Sequence, residues 1–493
     1  MVLCKREFPQ LYGLQPWKIP VKVEVADSTE LVDGVVHCIA PHELFASAWD
    51  MGFETFALHF LGRRGAAGPD VWWDRVSDED WALQHPALSQ GRSMVVPMCW
   101  HMDGMEVFSN TEYYMWTYRS CLTMGDVWDV KMLMCAYPHW QVTQRHVRQA
   151  VEEQIIKFAA WSVGWCEKGL FPDLDFGGKA FPPLSQRKDR ALKKLAGGWR
   201  MVYAGNCMDG KARKETNRFK HHAQGECICE FCFAMYPGKT KLTPPCLTFH
   251  DFSPEAPHRS TRITHDMYVA WMNDNLVQRT PWAQFTGWHL ETTLLDWMHV
   301  VNLGTARDVC GSALCTMIED GLFGRGGSEA ALAMFALEFR AWMHRRNLRR
   351  PRCSFSMKSL RASRQVDPEI PSRIKAPTMK YMIRFLAEKS RLGSCLLRTG
   401  MLAHLDRCHV IMGACNDAHT HTHFTPHEAH EFVTSLRLHL RLYQRLNNRA
   451  AAKGIHEWHL RPKGHMLDEI ANFVEKPMQP LIILVLFARR LYR

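Results

Sequence analysis

Two acids occur in matching settings in this sequence. Ser93 to Asp103 reads SMVVPMCWHMD and is followed by Gly104; Trp199 to Asp209 reads WRMVYAGNCMD and is followed by Gly210. Each is a short apolar, β-branched and aromatic run, the pattern of a buried strand, closed by an Asp-Gly pair that predicts a turn. Two such strands with a helix between them would bring two carboxylates together. Paired carboxylates can hold divalent ions about 3.5–4 Å apart, which activate water and stabilise a leaving oxygen in phosphoryl transfer. Asp-Gly is also a common turn dipeptide, so each motif taken singly has the plainer reading of a loop.

Three further groups have chemical potential. Cys227-x-Cys229-x2-Cys232 contains the thiolate spacing that suits tetrahedral zinc, with His221, His222, Cys246 or His250 to supply a fourth ligand. Reduced buried thiols are the alternative. Asp296 and His299 stand three residues apart in LETTLLDWMHVVNLG, so on a helix they share one face; a helix-start acid beside a core histidine is the simpler account. His419, His421, His423, His427 and His430 could bind metal, or form a solvated loop and helix start.

The elements needed to position these groups follow the apolar periodicity. Residues 1–92 carry short strand-like runs (Val21 to Val25, Val35 to Ile39) and read as a mixed or loop-rich lead-in. Within 93–224, Met105 to Phe108 is expected as a hairpin return and Trp128 to Tyr137 as a third strand. Gln144 to Glu167 should be a helix with Val147, Val151, Ile155, Phe158, Ala159 and Ser162 inward. The strand ending at Asp209 comes next, and KARKETNRFK opens a basic helix. Strand, strand, strand, helix, strand, with acids on the first and fourth strands, is the ribonuclease H-like order. Residues 225–455 read as a mostly helical insertion. In it, Thr425-Pro426-His427-Glu428 is a capping box opening a helix to about Ala452. Residues 456–493 read as a return strand, Trp458 to Lys463, then a helix from about His465 to Val474. The expected class is α/β, a ribonuclease H-like mixed sheet with a large helical insertion.

Composition narrows the partners. The chain has 493 residues and a net charge of +11. Between Arg340 and Lys380 twelve basic residues face two acids, so one segment carries nearly all of that excess. Arg345, Arg346, Arg349, Arg350, Arg352 and Lys358 are its candidate DNA contacts. Few aromatics accompany them, so phosphate contact is expected rather than base stacking; a solvated helix face is the alternative. The 17 cysteines, with no apolar signal segment in Met1 to Pro20, predict reduced thiols rather than a disulfide framework. The longest apolar run, Leu481 to Ala488, is far short of the ~20 residues a membrane span needs.

Together these residues resemble transposases of the DDE/D class with a ribonuclease H-like core, in particular the CACTA-type and Plavaka-type elements. His101-Met102-Asp103-Gly104-Met105-Glu106-Val107-Phe108 is similar to the first-acid segment, and Gly205-Asn206-Cys207-Met208-Asp209, with Cys229-x2-Cys232 after it, to the second. Leu295-Asp296-Trp297-Met298-His299 with Asn302-Leu303-Gly304 resembles the Asp/Cys-x2-His signature. Arg461-Pro462-Lys463-Gly464-His465 resembles the Pro-Lys-x-His segment that precedes the third acid. No acid follows Glu475, while Glu469 and Glu475 stand too near that segment to match the third acid, so the pattern is truncated or degenerate. The resemblance implies Mg²⁺ or Mn²⁺ at Asp103 and Asp209, supporting roles for Asp296 and His299, and DNA as partner. It also implies a nuclear location and leaves self-association open. An inactive DNA-binding remnant and a zinc-stabilised interaction module are the alternatives.

Overall fold

The computed structural model describes residues 14–25, 28, 30–108, 111–123, 130–221, 225–236, 247–274, 279–348, 355–360, 366–417 and 424–475. The chain divides into two compact units, one from Met1–Phe219 and Thr264–Leu294, the other from Lys220–Ile263, Leu295–Ala418 and Phe424–Arg493.

In the first unit β1 (Trp17–Glu24) and β2 (Leu31–Cys38) form an antiparallel pair. The larger sheet has five strands: β3 (Val95–Phe108), β4 (Thr111–Ser120), β5 (Met132–Pro138), β6 (Arg200–Met208) and β7 (Thr293–Leu295). Their order is β5-β4-β3-β6-β7; β3–β4 and β4–β5 are antiparallel, and β3–β6 is parallel. All nine residues of β6 are buried, as expected of a central parallel strand covered on both faces. Helices α1 (Pro41–Asp50), α2 (Gly68–Arg75) and α3 (Arg145–Lys168) precede β6; α4 (Gly210–Asn217) follows it, and α5 (His265–Asp274) precedes β7. α3 packs on β6 and β1 through Val147, Val151, Ile155, Phe158, Ala159 and Ser162, the inward face read from the sequence. It ends at Gly169, whose left-handed conformation (φ 68°) favours glycine.

The structure corrects two expectations about the first strand. Asp103-Gly104 is not a turn; β3 runs through it, pairing Asp103 with Met115 and Gly104 with Tyr114. The second strand is therefore β4, not Met105 to Phe108. β4 alternates inward Tyr114, Trp116, Tyr118 and Ser120 with more exposed residues, a half-buried pattern long enough to hold β3 extended. β5 begins at Met132; Trp128 lies outside the described residues.

The second unit is mostly helical: α6 (Ala306–Glu319), α7 (Ser328–Arg345), α8 (Ala376–Ser390), α9 (Leu396–Asp417), α10 (Pro426–Ala451) and α11 (Pro462–Glu475). The Thr425 capping box forms as expected. Trp458 to Lys463 is not a strand; α11 begins within it at Pro462, where proline's fixed φ suits a first helical turn. The sheet's fifth strand is instead β7. A wide helical turn, Met298–Thr305, packs against α6 and α11.

Candidate metal centres

The last registered pair of the parallel ladder is Trp100 with Asn206, and Asp103 and Asp209 each lie three residues beyond it. Equal offsets on parallel neighbours place two side chains level. Carboxylate oxygens of the two acids lie within 4.8 Å of each other, and both residues are half-buried. Asp209 also caps α4, its Oδ1 accepting from Ala212 N at 2.6 Å, so the helix start fixes one carboxylate and places a positive dipole end beside it.

A buried polar network supports this end of β6. Asn206 Nδ2 donates to Tyr203 OH at 2.8 Å and lies 3.4 Å from Asn217 Oδ1. Asn217 Nδ2 donates to Arg213 O at 2.9 Å, and Tyr268 OH donates to Asn217 O at 3.1 Å. At Gly205 any Cβ would stand 2.8 Å from Thr292 O, so glycine lets the chain entering β7 close on β6. Asn206→Leu is expected to destabilise the protein by about 1–3 kcal/mol, because Tyr203 and Asn217 lose a partner they cannot replace with water. Urea unfolding checks this, and an unchanged midpoint would refute it.

In the second unit Asp296 is buried and His299 Nδ1 lies 2.6 Å from its Oδ2, while Oδ1 accepts from Met298 N at 2.8 Å. A carboxylate on Nδ1 sets the ring's orientation and makes Nε2 the more basic nitrogen, suited to a proton or a metal. Lys463 Nζ donates to His299 O at 3.0 Å, and a Cβ on Gly304 would meet the Lys463 chain at 2.4 Å. The segments Asn302-Leu303-Gly304 and Pro462-Lys463 thus form one packed feature.

The cysteine cluster differs from its expected form. Cys229 and Cys232 come together, joined by His465 and Glu469 of α11, with one ligand atom of each within 4.8 Å of the others. Cys227 is not among them; its backbone bridges to Met235. His221 Nδ1 lies against the Cys229 carbonyl at 3.2 Å, and the His250 ring packs on Phe249. His222, Cys246, His419, His421 and His423 lie outside the described residues. Burial pushes the Cys229 thiol well above its ordinary value. Burial would lower His465, but the Cys229 sulfur and Glu469 hold it up at about 10. Burial would raise Glu469, yet His465 and Arg262 bring it below the usual carboxylate range. The signal available for His465 and Glu469 was their four-residue spacing, which puts both on one helical face.

Of the basic candidates, Arg345 and Lys358 are exposed. Arg346 lies 3.1 Å from both oxygens of Glu388 and stacks over Trp342, so its charge is already matched. Arg349, Arg350 and Arg352 lie outside the described residues. No helix among the described residues is long and apolar enough to cross a membrane. No protein-family model matches the chain, and no curated protein matches it.

Proposed function

We propose that the first unit is a ribonuclease H-like core that cleaves or joins DNA strands in a metal-dependent reaction of the DDE/D transposase type. The observation that carries this reading is the Asp103–Asp209 pair on adjacent parallel strands. The strand order, with three antiparallel strands followed by a parallel neighbour of the first, supports it. The donor set, two half-buried carboxylates, suits a hard cation such as Mg²⁺ or Mn²⁺. Bound there, such an ion makes water or a 3′-hydroxyl a nucleophile at neutral pH and stabilises the leaving oxygen. The chain's own part is to hold the two carboxylates level and to place the start of α4, with exposed Lys211, beside them. The test is Mn²⁺ binding by electron paramagnetic resonance, with cleavage of end-labelled duplex and single-stranded DNA in Mg²⁺ or Mn²⁺. Absence of both binding and cleavage would defeat the reading.

A second reading, a DNA-binding protein without strand chemistry, draws on exposed Arg345, Lys358, Arg373 and Lys375. Each phosphate contact releases counterion, giving log affinity a slope of roughly −0.9 against log salt. Replacing Arg345, Arg349 and Arg350 with Ala is expected to flatten that slope by about 3 units, measured by fluorescence anisotropy. Arg346→Ala should change it less, because Glu388 already neutralises that guanidinium. An absence of salt-dependent DNA affinity would leave the zinc-stabilised interaction module as the better account.

A further inference from the structure

We propose that Cys229, Cys232, His465 and Glu469 bind one structural zinc ion that ties α11 to the 228–263 segment. This inference concerns the second unit and does not rest on the acid pair.

Three separations among the four groups are informative. Cys232 Sγ and His465 Nε2 lie 3.2 Å apart, Cys229 Sγ and Glu469 Oε1 3.6 Å, and His465 Nε2 and Glu469 Oε1 3.4 Å. Zinc bonds of about 2.3 Å to sulfur and 2.0–2.2 Å to nitrogen or oxygen give tetrahedral edges of roughly 3.4–3.6 Å for such pairs. The spacings therefore already match a tetrahedron to within a few tenths of an ångström. All four atoms carry lone pairs, and they converge where water does not reach: the residues are 0–1% exposed. A divalent ion there would displace the protons that these buried groups otherwise hold and would satisfy all four donors at once.

The surroundings are those of a metal knuckle. Phe231 N donates to Cys229 Sγ at 3.3 Å, a hydrogen bond suited to a thiolate. Arg262 and Asn472 both bond Glu469 Oε2, the oxygen other than the one in the cluster, which leaves Oε1 for the ion. Charges then balance: a divalent ion and one guanidinium offset two thiolates and one carboxylate. Two sulfurs and an imidazole select zinc over magnesium or calcium. Burial leaves no position for a reacting water, so the site is a closed, structural one. Arg259 adds a second tie between the same segments, donating to Asp468 Oδ1 at 2.7 Å.

The test is zinc content by mass spectrometry of the full chain purified in zinc-replete medium, with thermal unfolding before and after chelation. One zinc per chain is expected, with a lowered transition on chelation. Cys232→Ser and His465→Ala should lose the zinc, Cys227→Ser should keep it, and Arg262→Gln should weaken it about 10–100-fold. Should the first two variants fail to fold, Co²⁺ exchanged into the native chain must show thiolate-to-metal charge transfer and tetrahedral d–d bands. Zinc-free native protein, octahedral Co²⁺, or zinc lost with Cys227→Ser but kept in His465→Ala would each overturn the proposal.

Discussion

Asp103→Asn and Asp209→Asn are each expected to lower metal-dependent DNA cleavage by ~10³-fold, the several kcal/mol that a correctly held metal supplies to phosphoryl transfer. Asparagine matches aspartate in size, and at position 209 it still accepts from Ala212 N, where Asn caps as well as Asp. The fold should therefore survive, and unchanged urea midpoints would attest it. Because the two carboxylates lie within 4.8 Å, they would act on a shared ion. The double variant should then be little worse than either single one, the non-additivity of groups that work as a unit. Mn²⁺ affinity should fall with activity. Cleavage that persists in both single variants, or full losses that multiply in the double variant, would separate the acids and remove the basis of the nuclease reading.

In the first unit Glu152 should make stability fall as pH rises, most clearly above pH 6.5, where the buried His42 and His85, lowered to about 3 and about 4, no longer act in the opposite direction. Its Oε1 is buried without a hydrogen-bond partner, and the nearest guanidinium atom, Arg148 Nε, is 3.8 Å away. Arg148 is committed elsewhere, with Nη2 2.6 Å from Glu215 and Nη1 3.4 Å from Tyr114 OH. Burial therefore wins over Arg148, and with the like charge of Glu215 it pushes the Glu152 carboxyl from 4.5 up to about 8. The sign follows from proton binding. Between those two values the unfolded chain has released a proton that the folded chain retains, so stability falls as pH rises, by up to about 1.4 kcal/mol per pH unit. The fall stops above the folded value. Glu152→Gln keeps the neutral shape and removes the titration, so it should flatten this slope and exceed the native protein in stability at pH 8. Asp308, Glu167 and Glu457, all pushed up to about 7, add to the native slope, so the informative quantity is the difference between variant and native midpoints at pH 5 and pH 8. Equal differences at both values would show that Glu152 is charged in the folded state.

Some of the candidate chemistry was legible along the chain. The acids at 103 and 209 stood out because each follows a run whose residues all need burial, and the runs share a register. The inward face of α3 and the capping box at Thr425 were readable for the same reason, since periodicity and capping are local. β4 is legible too, in the alternation of Tyr114, Trp116 and Tyr118, but the Asp-Gly pair just before it carries the opposing signal of a turn. β7, only three residues long, offers no period to detect.

What the chain by itself determined is therefore local: which residues must be buried and which helices start where. Tertiary structure alone decided the partners. Asp103-Gly104 is straight because β4 supplies hydrogen bonds on its edge, and no short-range signal can outweigh a long paired strand. Arg346 loses its free charge to Glu388, 42 residues away. Cys232 lies beside His465, 233 residues distant, rather than forming a cluster with its sequence neighbour Cys227, because only the docking of α11 brings that ring to the buried thiols.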